Sequence, residues 1–167
     1  TDNSRVHMHT ISCLIHTDHI TPNLDYEMIM KATMHLTHDM KECEKQYRSC
    51  VFNILSHNRD DHSKNFSFLM DPNGIWQVSP SYDLTFSSGP GGEHCSMVMG
   101  EGRNPGITQL LELAKISHIK KSEALNIIDE VKLSISKWSN FAKNSGVSHE
   151  SSKLIHSAIT KIIKYAF

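Results

Sequence analysis

The apolar positions of the chain fall into short runs whose spacing switches from helical to strand-like and back again. Met40, Cys43, Tyr47, Cys50, Val51, Ile54 and Leu55 recur at three- and four-residue intervals, which is one buried face of a helix over about residues 39–56. Upstream, Asp25 is placed to cap a helix beginning at YEMIMKATMHLTH. Residues 1–20 carry Met8, Ile11, Leu14 and Ile15 and read as a short helical piece. After the long helix, FSFLM and IWQVS flank Asp71-Pro72-Asn73-Gly74. Proline fixes φ at the second turn position and glycine tolerates positive φ at the fourth, so this segment is a β-hairpin. A glycine-rich loop (SSGPGGEH), a short strand (SMVM) and a second loop (GEGRNPG) follow, and the glycines predict mobility over residues 87–104.

The remainder is helical. One helix spans Ile107–Ile116 behind Pro105-Gly106. A second begins after a Ser122 cap, with Leu125, Ile128, Val131, Ile135, Trp138 and Phe141 as its stripe. A third starts near Ser148 and carries Leu154, Ile155, Ile159, Ile162 and Ile163. The pattern predicts a mainly α domain with one inserted β-hairpin.

Composition narrows the function classes. With 167 residues, the chain is long enough for one domain with a sizeable core. Lys+Arg and Asp+Glu nearly balance, at 17 against 18, which argues against a nucleic-acid surface covering the domain. Hydrophobic runs stay well short of the ~20 residues a membrane span needs, and no signal peptide opens the chain. Cys13, Cys43, Cys50 and Cys95 form no CxxC, and Cys43 and Cys50 read as reduced core thiols, pointing to the cytoplasm. The twelve histidines are spread without a zinc-ligand pattern. There is no initiator Met, so the chain is expected to be part of a longer polypeptide.

Chemistry concentrates in NRDDHSKN, residues 58–65, between the long helix and the hairpin. Asp60 and Asn65 stand five apart, the D-x-x-x-x-N spacing of a kinase catalytic loop, and Asp83 lies at the far end of the hairpin. Phosphoryl transfer needs a carboxylate to orient the attacking hydroxyl and take its proton, a role that suits Asp60. It also needs an amide oxygen and a second carboxylate to hold Mg²⁺, which suits Asn65 and Asp83. Lys64 is placed to neutralise phosphate charge, and His62 to contact the nucleotide. Asp61, only four residues from Asn65, reads as the residue that shapes the turn.

The wording DDHSKNFSFLM…WQVSPSYDL resembles the C-terminal lobe of the HipA-like serine/threonine kinases, toxins of bacterial toxin–antitoxin modules. The likeness is most specific over residues 51–86 and looser over the flanking helices; NRDDH and LTHDMKECEKQ also resemble the short HipT type. The resemblance implies a kinase C-lobe-like helical fold over residues 1–167, with Asp60 as the catalytic base. It implies ATP and Mg²⁺ as cofactors, with His62, Ser63, Lys64 and Asn65 at nucleotide and metal. Tyr82 is then at the nucleotide and Asp83 on Mg²⁺, where other kinases have Asp-Phe-Gly. It further implies a protein substrate, typically an aminoacyl-tRNA synthetase, and an antitoxin partner, with no membrane and no direct nucleic-acid contact.

One departure limits the reading. A complete kinase of this kind has an N-terminal lobe with a glycine-rich loop and a strand Lys over the phosphates. SSGPGGEH lies after Asp83, on the wrong side of the catalytic loop. The chain therefore reads as the C-terminal lobe alone, with little activity by itself. Two other functions fit the same residues: a small-molecule or lipid kinase of related fold, and a non-catalytic lobe that binds a partner.

Overall fold

A computed structural model of the chain describes residues 5–16 and 24–167. The fold is mainly helical, and its centre is the long helix that the apolar spacing predicts. Helix α1 (Ile11–Leu14) is a single turn, α2 spans Tyr26–Thr37 and α3 spans Met40–Leu55. Asp25 caps α2 by accepting from Glu27 N at 2.8 Å, and Asp39 caps α3 by accepting from Lys41 N at 2.8 Å. Each cap satisfies an amide that has no partner within its own helix. α2 buries Tyr26, Ile29, Met30 and Thr33 against α3, whose Cys43, Tyr47, Cys50, Val51, Ile54 and Leu55 are all in the core.

Strands β1 (His7–Thr10), β3 (Ser67–Met70) and β4 (Trp76–Val78) form an antiparallel sheet in the order β1-β3-β4. Register runs from His7 opposite Met70 to Thr10 opposite Ser67, and from Phe68 opposite Val78 to Met70 opposite Trp76. In the hairpin turn, Asp71 Oδ1 accepts from Asn73 N (2.8 Å) and Ile75 N (2.9 Å), while Gly74 takes φ 83°. Those amides hold the Asp71 carboxyl below the usual carboxylate range. β2 (Leu24–Asp25) pairs in parallel with β5 (Ser96–Met97), tying the start of α2 to the segment after the hairpin.

The C-terminal layer consists of α4 (Ile107–Ile116), α5 (Lys121–Ile135), α6 (Trp138–Asn144) and α7 (His149–Ala166). α5 packs Ala124, Ile127, Ile128, Val131 and Ile135 toward α3, and Tyr47 donates its hydroxyl to Leu110 O at 3.1 Å. A Cβ on Gly106 would lie 2.8 Å from Ala166 O, so only glycine lets the end of α7 approach the start of α4 this closely.

Three expectations change. Met8 lies on strand β1 rather than a helix, because residues 7–10 pair with the free edge of β3. The parts of the expected N-terminal helix over residues 1–4 and 17–20 lie outside the described residues. The hairpin is accordingly two strands of three. α5 starts at Lys121 with no side-chain cap, so Ser122 is inside the helix. Its stripe stops at Ile135: Ser136 Oγ bonds back to Leu133 O at 2.8 Å, and Lys137 N to Ser134 O at 3.2 Å. These local bonds compete with the helical ladder, and Trp138 and Phe141 fall on a separate helix, α6. There Trp138 Nε1 bonds Ser152 O of α7 at 3.1 Å, while Phe141 is exposed.

Candidate active site

The chain leaves α3 through His57, whose φ of 59° reverses the backbone, and Asn58 N returns to Asn53 O at 2.9 Å. The next two residues are both aspartates, with opposite surroundings. The Asp60 side chain is half-exposed, while Asp61 is fully buried.

Asp60 is held by its backbone. Asn65, at the end of the 3₁₀ turn Ser63–Asn65, donates its side-chain amide Nδ2 to Asp60 O at 2.8 Å. The Asp60 carboxylate itself keeps looser neighbours: His62 Nε2 at 4.0 Å and Cys95 Sγ at 3.8 Å, both from Oδ1. Burial, with the neighbouring carboxylates of Asp61 and Asp60, pushes the Cys95 thiol up to about 12.

The Asn65 bond also orients the amide. With Nδ2 committed to Asp60 O, the side-chain oxygen Oδ1 is left as the acceptor. Asn65, Tyr82 and Asp83 line one narrow cleft of ≈ 20 Å³ together with Asn53, Asn58 and Asp61. Asp83 reaches it from an exposed position with φ 54°, a left-handed conformation that aspartate tolerates better than most residues. Tyr82 is fixed by hydroxyl contacts to Ser67 Oγ (2.6 Å) and Lys64 O, which tie the hairpin to the loop.

His62, Ser63 and Lys64 do not line this cleft. Lys64 is exposed, whereas the buried Ser63 hydroxyl and the buried His62 Nδ1 have no hydrogen-bond partner among the described residues. Asp60 lies outside the cleft as well, joined to it through Asn65. The site thus brings together Asn65, Tyr82 and Asp83, with Asp60 one hydrogen bond away.

A cation is a chemically reasonable occupant of the cleft. Its volume is close to what one water or ion fills, and its oxygen donors are hard ligands of the kind Mg²⁺ takes. Asn58 lines the same cleft, and its Oδ1 is buried with no hydrogen-bond partner among the described residues. A buried acceptor left unpaired is a disfavoured state that a cation-bound water would relieve.

Asp61 is the anchor under the loop. Its Oδ2 accepts from Tyr26 Oη (3.0 Å) and His94 Nδ1 (3.0 Å), and its Oδ1 from Ser96 N (3.2 Å). Ser96 Oγ also donates to Asp61 O. Tyr26 Oη accepts from Asn53 Nδ2 at 2.9 Å, and Asn53 Oδ1 accepts from Asn58 Nδ2 at 3.0 Å. Burial first, then the Asp61 charge, raises Tyr26 and Cys50 well above their ordinary values, so both stay protonated beside it.

The sequence reading gave Asp61 a turn-shaping role but did not find its partners Tyr26, His94 and Ser96, nor Asn53 and Asn58 linked behind Tyr26. One signal was available: Gln46 and Asn53 are polar positions of α3 that turn out to be buried. Polar groups there call for partners.

The segment expected to be mobile is bonded to the loop throughout. Arg59 N bonds Ser87 O (3.3 Å) and Cys95 N bonds Arg59 O (3.0 Å). The Arg59 guanidinium donates to Gly92 O and to Arg103 O. Gly89 is packed so tightly that an added Cβ would lie 2.7 Å from Arg59 Cβ.

Comparison with known proteins places the fold in a family. The family model of the HipA-like C-terminal domain matches residues 1–139. The chain belongs to the HipA-like C-terminal domain family. Among solved structures, the HipA-like domain is similar to a chain of the Shewanella oneidensis MR-1 toxin–antitoxin complex of HipA, HipB and operator DNA. That match has a TM-score of 0.62 at 14% identity and covers 84% of this chain. It covers 34% of the other chain, so the domain spans about a third of its length. At this identity the likeness speaks for the fold. The search of curated proteins finds no match. Among the described residues, no helix is long and apolar enough to cross a membrane.

Proposed function

We propose that this domain is the C-terminal lobe of an ATP-dependent serine/threonine protein kinase, the toxin of a bacterial toxin–antitoxin module. The observation that carries the reading is the Asn65 amide. It locks the backbone of Asp60 and leaves its oxygen for the cleft shared with Asp83. The proposed base and one proposed metal ligand are thereby joined by a single hydrogen bond.

In this reading Asp60, half-exposed and free of strong partners, accepts the proton of the attacking serine or threonine hydroxyl. The hydroxyl oxygen forms its bond to the γ-phosphorus as the bond from that phosphorus to the ADP oxygen breaks. Asn65 and Asp83 are the ligands for Mg²⁺, which when bound neutralises charge on the phosphates. Tyr82, held by Ser67 and Lys64, shapes the nucleotide side of the cleft. The remaining phosphate-gripping groups come from the rest of the polypeptide. The 167-residue chain by itself is therefore expected to transfer little phosphate. Family likeness suggests an aminoacyl-tRNA synthetase as the protein substrate and a HipB-like antitoxin as the partner.

The test is phosphate transfer from labelled ATP by the whole polypeptide carrying the domain. Asp60→Asn is expected to lower the rate by roughly 10²–10⁴-fold, the range for loss of a general base. Asp83→Asn is expected to weaken Mg²⁺ dependence as well as rate. Unchanged transfer by Asp60→Asn would overturn Asp60 as the base, and no transfer by the parent polypeptide would favour a partner-binding lobe.

A further inference from the structure

One fully buried carboxylate with several donors is a group that phosphoryl transfer does not use. Asp61 is fully buried, and both carboxylate oxygens and its carbonyl accept hydrogen bonds. Two parts of the chain supply the donors: Tyr26 from α2, and His94 and Ser96 from the segment after the hairpin. A carboxylate can only accept, which puts the proton of the His94 imidazole on Nδ1. His94 is itself buried, and its backbone N–H donates to Gly102 O at 2.8 Å, so the ring is anchored from both ends.

We infer that Asp61 and His94 form a positioning pair through which the segment 87–104 sets the orientation of Asp60. The inference rests on the kinase reading of Asp60. Three geometric facts support it. Asp60 and Asp61 are adjacent, so a fixed Asp61 leaves Asp60 only its own torsions. Segment 94–96 runs alongside the loop, with Cys95 N on Arg59 O (3.0 Å) and Ser96 N on Asp61 Oδ1 (3.2 Å). Between those two anchors, the Cys95 side chain lies 3.8 Å from Asp60 Oδ1. Removing the His94 donor frees this segment at the point where it meets the base.

A small displacement of a catalytic group lowers rate much more than affinity, because geometry matters most in the transition state. His94 is a positioning residue, not a catalytic one. His94→Leu deletes the donor, while His94→Asn puts an amide N–H close to where Nδ1–H stood. In the whole polypeptide, His94→Leu is expected to lower kcat by about 10²-fold while the KM for ATP is unchanged. His94→Asn is expected to recover most of that loss at a thermal midpoint equal to that of His94→Leu. A purely structural role would instead make activity follow the thermal midpoint in both variants. Hydrogen exchange in the 167-residue chain gives a readout that needs no activity. His94→Leu is expected to speed exchange in peptides covering 57–65 and 94–96, leaving those of α5 as in the parent.

The outcomes separate the two proposals. If Asp60→Asn abolishes transfer but His94→Leu keeps full kcat, positioning is wrong and the kinase reading stands. If exchange changes as expected while Asp60→Asn is fully active, the pair is a folding anchor, and both the positioning role and Asp60 as the base are overturned. Loss of activity that His94→Asn fails to recover, with exchange raised across α3 and α5 alike, also overturns positioning.

Discussion

Two carboxylate environments lie within one cleft-and-loop unit, and they are built on opposite rules. Around Asp61 every oxygen is filled by a protein donor, and the partners come from α2 and from the segment beyond the hairpin. Asp83 and Asn65 line a small cleft that Asn58 shares, and Asn58 Oδ1 has no partner among the described residues. Saturated acceptors hold the chain together, whereas unsaturated ones are available for chemistry. A sequence of adjacent aspartates conceals that division, since residue type is identical at positions 60 and 61.

The comparison is broken most directly by removing one aspartate at a time. Asp61→Ala strands the donors of Tyr26, His94 and Ser96 in a buried site and is expected to destabilise by ~3–5 kcal/mol. Asp60→Ala removes a half-exposed group and is expected to change stability by no more than about 0.5 kcal/mol. Urea unfolding of the two variants decides this; equal losses would show that both aspartates are structural. Next in size is Tyr26→Phe, which deletes a hydroxyl that donates to Asp61 and accepts from Asn53. The expected loss is about 1–3 kcal/mol, and a neutral result would mean that Asp61 is anchored by His94 and Ser96 alone.

Asp25 sharpens the picture from the far end of the same unit. Beyond capping α2, it accepts from Met99 N (3.2 Å) and Gly100 N (2.7 Å), so it joins the helix start to the turn after β5. Asp25→Ala is expected to cost about 1–2 kcal/mol, at the upper end of a cap deletion; the thermal midpoint measures it. The smallest effect concerns the thiols. Burial, with nearby carboxylates, raises Cys43 to about 11 and Cys95 to about 12. Unfolded cysteine titrates near about 8.5, so the folded chain binds more protons across that interval. Stability is therefore complete below about pH 8.5 and declines as pH rises toward 12. Comparing urea midpoints at about pH 8 and about pH 10, Cys95→Ala should flatten the decline.

Local rules made much of this fold readable. α3 announced itself because its apolar positions keep helical spacing for four turns, and Asp25, Asp39 and Ser148 cap with their own side chains. β1 was hidden because four residues become a strand only by pairing with β3, some 60 positions later. The break between α5 and α6 was hidden because apolar periodicity continues across it; at the break the Ser136 hydroxyl bonds the carbonyl of Leu133. At the site, Asp60, Asn65 and Asp83 could be named from spacing within one loop and hairpin. The Asp61 partners could not, since Tyr26 and His94 stand 35 and 33 residues away, one in an ordinary helix and one in a glycine-rich loop.

The left-handed backbone at Asp83 bears on how any substitution there must be interpreted. A residue with a Cβ carries roughly 1–2 kcal/mol of steric burden in that conformation, and glycine carries almost none. Asp83→Ala therefore removes the carboxylate while keeping the burden, whereas Asp83→Gly removes both. Measured side by side, the two replacements give an internal control. Whatever they lose in common belongs to the carboxylate, and whatever separates them belongs to the bend in the chain.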